Sequence, residues 1–202
     1  TSTQVAALTT DMAAALTTDQ VHALAGAQVA ALTTAAVATL STDQVAALTT
    51  DEIHALTSTQ IAALTTDDIA SLSSDQVAAI NTRAVSALTT AELGALSTDN
   101  LAALSTAQVG ALTTAQFGWM NATNLDAVAS AKLSTTQIGL LNTSQLDALT
   151  TSQLGWMNTT NLDAIAAANL FAADYKSLFY TIISHMAHHE EPLGSISAEA
   201  GP

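Results

Sequence analysis

The chain has 202 residues, enough for one domain or a short repeat array, and a formal charge of −14 from seventeen acidic side chains against three basic ones, Arg83, Lys132 and Lys176. That balance argues against nucleic acid as a partner, because phosphate backbones are held by clustered cations. Hydrophobic residues make up 49% of the chain but aromatics only 3%, and cysteine is absent, so the core must be thin and neither a disulfide framework nor a thiolate metal site is possible.

The first residues, "TSTQVAAL", lack the basic and apolar stretches of a signal peptide and already belong to a repeat. They read as the start of a piece processed or excised from something longer. From Leu8 the sequence divides into octads, LTTDMAAA, LTTDQVHA, LAGAQVAA and onward to MNATNLDA. The phase slips by five residues at VASAK, 128–132, and the pattern resumes at Leu133 as LSTTQIGL, LNTSQLDA, LTTSQLGW and MNTTNLDA. Repetition on this scale marks an array whose units stack on one another.

Leucine holds octad position 1 and Val, Ile or Leu holds position 6. Odd spacings put the two on opposite faces of a strand. In one continuous helix each octad rotates the apolar stripe by roughly 80°, so it faces nothing in particular. A helix that stops and restarts in every octad resolves this. Thr or Ser at position 2 with Gln or Glu at position 5, as in Ser41 with Gln44, Thr49 with Glu52 and Thr57 with Gln60, has the spacing of a capping box. The same frame makes leucine and the position 6 residue a hydrophobic staple. Asp at position 4, as at Asp19, Asp43, Asp51, Asp67, Asp75 and Asp99, falls in the first turn, where the helix dipole favours it by about 0.3 to 1 kcal/mol. The expected fold is all-α, a solenoid of short capped helices, one per octad, over 1–165. A lone octad cannot stand: its two aliphatic side chains contribute about 3 to 6 kcal/mol against about 8 to 16 kcal/mol of backbone entropy.

The number of octads per coil is less clearly marked. The exceptional octads containing Ala35-Ala36 and Arg83-Ala84 lie 48 residues apart, which suits three, whereas His22 and His54 lie 32 apart, which suits four. Three is preferred.

All seven aromatics follow residue 116: Phe117, Trp119, Trp156, Phe171, Tyr175, Phe179 and Tyr180. Two "GWMN" stretches, 118–121 and 155–158, lie 37 residues apart, four octads plus the slip. The tryptophans either fill space where the slip disturbs stacking or form a contact surface. Over 166–191 the octads cease, and apolar residues at 171, 175, 178, 179, 182, 183 and 186 predict a longer amphipathic helix that caps the solenoid or docks a partner. Residues 192–202, with both prolines, read as a flexible tail. Interaction, if any, is assigned to Trp119, Trp156, Phe171, Tyr175 and Phe179, through self-association or a protein partner.

Chemistry has little support. His185 and His189 are one helical turn apart, as in many metal sites, but a solvated helix end explains them better. His22 and His54 replace flank alanines. One Asp per octad, without glycine-rich turns, falls short of the six to eight oxygens of a calcium site. No phosphate loop, nucleophile elbow or histidine–carboxylate cluster is present. No enzyme activity, cofactor or metal is expected, and no apolar run reaches the roughly 18 to 20 residues of a membrane span.

Runs such as "LTTDQVAAL" and "LSTAQVGAL" resemble the threonine- and alanine-rich short repeats of very large bacterial secreted and surface proteins, often labelled adhesins or haem-utilisation proteins. The resemblance covers about residues 1–165. It implies an extracellular or cell-surface spacer or stalk, and it transfers no haem site to any residue here. The expectation is a non-enzymatic structural module, with a self-assembling filament subunit and a protein- or glycan-binding module as alternatives.

Overall fold

A computed structural model describes residues 1–128 and 133–147, together with positions 160 and 163. The inserted residues 129–132, the predicted helix at 166–191 and the tail at 192–202 lie outside the described residues.

Every described octad folds as one short helix, and no strand occurs among the described residues. The first coils contain α1 (Ser2–Ala6), α2 (Thr10–Ala14), α3 (Thr18–His22), α4 (Gly26–Val29), α5 (Thr34–Val37) and α6 (Thr42–Ala46). Next come α7 (Thr50–Ala55), α8 (Ser58–Ile61), α9 (Thr66–Ser71), α10 (Ser74–Ala79), α11 (Thr82–Val85) and α12 (Thr90–Ala95). The series continues with α13 (Thr98–Ala103), α14 (Thr106–Gly110), α15 (Thr114–Trp119) and α16 (Ala122–Ala127), and after the slip with α17 (Thr135–Gly139) and α18 (Thr143–Asp147).

The interruption has a local cause. At Leu56 the backbone is extended (φ −59°, ψ 135°), and the N-cap Thr49 of α7 is extended too (φ −73°, ψ 165°). Each helix therefore restarts at position 2, where the side chain accepts a hydrogen bond from the N–H three residues on. Ser41 accepts from Gln44 N at 3.3 Å, while Gln44 Oε1 accepts from Ser41 N at 2.7 Å. This reciprocal pair recurs at Thr17, Thr57, Ser73, Ser105, Thr113 and Ser134. At α4 the cap is Ala25, which has no hydroxyl, and only the half of the box from Ala25 N to Gln28 Oε1 remains, at 2.8 Å.

Each helix packs on the helix three further along, without exception from the α1–α4 pair to the α13–α16 pair. One coil is thus three octads. The octads containing Ala36 and Ala84 stand two coils apart in the same column, while the 32-residue spacing of His22 and His54 is a coil plus one octad and carries no stacking. Beyond the slip, α16 packs on α18 instead, two positions along. Position 1 and position 6 side chains form a single continuous core, from Val5 through Leu40, Ile61, Leu93 and Phe117 to Leu146. The position 4 aspartates Asp11, Asp19, Asp43, Asp51, Asp67, Asp75 and Asp99 lie in first turns and are all exposed.

Candidate functional site

What distinguishes this solenoid chemically is position 5. Gln44, Gln60, Gln76, Gln108, Gln116, Gln137 and Gln145 are buried, although the capping box alone needs them only at a helix surface. The reason lies in the unused half of the amide. While Oε1 accepts from its own cap, Nε2 donates to backbone carbonyls at the end of a helix in the preceding coil. Gln108 donates to Val77 O at 3.0 Å, Ala78 O at 3.2 Å and Ile80 O at 2.7 Å. Gln60 does the same to Val29 O at 3.0 Å and Leu32 O at 2.8 Å, and Gln76 to Leu48 O at 2.7 Å. Gln44 reaches Leu16 O. One amide therefore satisfies an orphan donor at a helix start and orphan acceptors at a helix end 28 residues earlier. The ladder crosses the slip: Gln145 donates to Met120 O at 2.7 Å, and Gln137 to Val109 O.

Sequence reasoning found the cap and missed this bridge, because its acceptors belong to another coil. A signal was nevertheless present in the exceptions. Where position 5 is Ala84, the N-cap is Asn81, whose Nδ2 donates to Leu56 O at 2.8 Å and whose Oδ1 accepts from Ala84 N at 2.9 Å. The amide has moved to position 2 and serves the same carbonyl. Where position 5 is Ala36, the carbonyl at that spacing is that of Leu8, a residue only half-buried. Asn100 is a shorter substitute, donating to Leu72 O at 3.0 Å.

Three buried position 5 residues are acids, Glu52, Asp68 and Glu92. Their carboxylates close the cap, with Glu52 Oε2 accepting from Thr49 N and Glu92 Oε2 from Thr89 N, each at 2.6 Å. A carboxylate has no hydrogen to give to the carbonyl in the preceding coil. Asp68 recovers a partner from that direction, since Thr42 Oγ1 donates to its Oδ1 at 3.2 Å.

Of the five residues assigned to interaction, Trp119 is the one among the described residues, 39% exposed at octad position 8. Its indole lies on Gly94 of the preceding coil: a Cβ built on Gly94 would sit 2.6 Å from Cζ2 and 2.9 Å from Cη2. Position 7 of one coil faces position 8 of the next here, as where His54 Nδ1 meets Ala79 O at 3.1 Å. Gly94→Ala is expected to displace the ring and cost about 1–2 kcal/mol, the steric loss exceeding the gain in helix propensity. In a Trp119→Ala background the same change should stabilise by about 0.5–1 kcal/mol. Urea titration of the four proteins checks this, and equal effects in both backgrounds would contradict the seating of Trp119 on Gly94. Trp156, Phe171, Tyr175, Phe179, His185 and His189 lie outside the described residues.

The first three helices, α1–α3, make no such bridge to a described residue. Gln4 and Gln20 are exposed there, Leu8, Leu16 and Leu24 are half-buried, and Met12 at position 5 is 53% exposed. Gln20 Oε1 accepts from Thr17 N at 2.9 Å and Gln28 Oε1 from Ala25 N at 2.8 Å, but their Nε2 groups donate to no atom of the described residues. Among the described residues no group of three or more histidines and carboxylates could hold a metal ion, and no helix is long and apolar enough to cross a membrane.

A family model, that of the ALTTAQ repeat, matches this chain three times, over residues 21–58, 51–82 and 85–122. The chain is a repeat protein. The name of the ALTTAQ repeat is spelled at residues 111–116, and its letters have structural meanings: staple leucine at 112, cap at Thr113 and bridging amide at Gln116, which donates to Leu88 O at 2.7 Å. The three ALTTAQ matches fall within α3–α16, where stacking three along is unbroken. No curated protein and no solved structure matches the chain.

Proposed function

We propose that the chain is a non-enzymatic spacer or scaffold of a bacterial extracellular or surface protein, built so that length is set by the number of coils. The observation that carries this reading is the division of labour at position 5. The recurrent buried polar group is consumed in joining one coil to the next, and the exposed face carries aspartate and small residues. The surface location rests on the resemblance of the octads to those of secreted bacterial proteins.

The test is to duplicate one coil. Inserting a second copy of residues 41–64 after Leu64 preserves both octad phase and column, so the chain should gain one turn and lengthen by about 8–10 Å, the spacing of packed helices. Small-angle X-ray scattering reads this as an increase in maximum dimension at unchanged cross-section. A lengthened chain with an unchanged maximum dimension would count against the spacer.

A further inference from the structure

The described residues contain one arginine, and it lines a groove. The corner between α7 and α8 and the corner between α10 and α11 stack one coil apart, and between them lies an open cavity of about 470 Å³ lined by residues 54–58 and 81–83. Its volume is in the range of small-ligand sites. The octad that forms one wall, INTRAVSA, has Arg83 at position 4, where aspartate is the most frequent residue and no other octad carries a cation. No carboxylate lines the groove, although the chain carries a charge of −14.

The polar groups on its walls fall into two sets. Asn81 is committed to the ladder, and Thr57 to its own cap, where it accepts from Gln60 N at 3.2 Å. Arg83, Ser58 and Thr82 make no side-chain hydrogen bond or ion pair with any described residue. His54 is half committed: Nδ1 faces Ala79 O at 3.1 Å, and because a carbonyl only accepts, Nδ1 carries the hydrogen. In the tautomer with its hydrogen on Nδ1, the ring offers Nε2 as an acceptor.

We propose that this groove binds a carboxylate bearing neighbouring hydroxyls, of the acidic-sugar class, either free or at the end of a glycan. The Arg83 guanidinium is a planar fork of donors suited to a carboxylate. His54 Nε2 accepts from a ligand hydroxyl, and the Ser58 and Thr82 hydroxyls each give or accept one further bond. A neutral sugar leaves the guanidinium without its partner, and a bare carboxylate leaves Nε2 and both hydroxyls without theirs.

The experiment is a titration of the full chain followed by amide NMR, with sodium glucuronate, a glucuronate-terminated disaccharide, glucose and acetate. Saturable shifts at residues 54–58 and 81–83 are expected with glucuronate, at a dissociation constant on the order of 1 mM, and at least tenfold weaker binding of glucose and acetate. Tighter binding of the disaccharide than of glucuronate assigns a glycan end as the source; equal binding assigns the free acid. Arg83→Ala should weaken binding at least tenfold and His54→Ala several-fold. Both changes install residues that the repeat uses at the same positions elsewhere, Ala35 and Ala62, so the fold is kept. Absence of saturable shifts with both glucuronate ligands, shifts that acetate reproduces in full, or an Arg83→Ala protein that binds like the original would overturn the proposal.

Discussion

Gln108→Ala is expected to lower the free energy of unfolding by about 2–4 kcal/mol, although it removes a polar side chain from a protein held together by leucine. Gln108 is only 2% exposed. It accepts from Ser105 N at 2.8 Å and donates to carbonyls of three residues, the shortest bond being 2.7 Å to Ile80 O. Truncation leaves the buried carbonyls of Val77 and Ile80 without this donor, each costing about 1–3 kcal/mol, frees the part-buried Ser105 N–H, and opens a cavity between two coils. Gln20→Ala is the control. Gln20 has the same octad position and the same cap, but it is exposed and its Nε2 donates to no described residue, so only the cap is lost, at about 1 kcal/mol. Urea unfolding followed by circular dichroism compares the two. Equal losses would show that the capping box, and not the bridge to the preceding coil, is what the glutamine contributes.

The opposite sign is expected at Glu92. Its carboxylate closes the cap as glutamine does, but the carbonyl 28 residues earlier, that of Leu64, receives no hydrogen from it, and Leu64 is 3% exposed. Glu92→Gln supplies the missing donor and should raise stability by about 1–3 kcal/mol. Glu52→Gln should gain less, because its counterpart carbonyl belongs to Leu24, which is only half-buried. Removing one charge from a chain of −14 also relieves self-repulsion, so Asp99→Asn serves as a control. Asp99 is exposed in the first turn of α13, and its neutralisation should be neutral or slightly destabilising through the helix dipole. If Asp99→Asn stabilises as much as Glu92→Gln, general charge relief explains both and the ladder does not.

The sequence revealed most where the physics is local. Ser41 and Gln44 are three residues apart, and so are Thr57 and Gln60, so caps, staples and the outward-facing aspartates could be read from neighbouring residues. Coil size was half legible: the column containing Ala36 and Ala84 pointed to three octads, and the histidines pointed away from it because their spacing reflects no contact. The bridge was hidden because Gln108 finds its acceptors 28 to 31 residues back, a distance that has meaning only once the coil is known. The same holds for Trp119 on Gly94 and for the groove, whose walls come from two corners that the chain separates by a full coil. The exchange of duties between Asn81 and Ala84 was visible in the letters all along, but without the coil nothing linked position 2 of one octad to position 1 of another.

The carbonyl-to-amide bridges also decide how such a chain would yield to tension. Each joins neighbouring turns along the axis and none joins distant ones, so a pull on the two ends loads them in series. Failure then begins at whichever turn is most weakly clasped and proceeds by peeling, each event releasing 24 residues, or roughly 80 Å of slack. A chain of this kind would give way in steps of equal length and not as a unit.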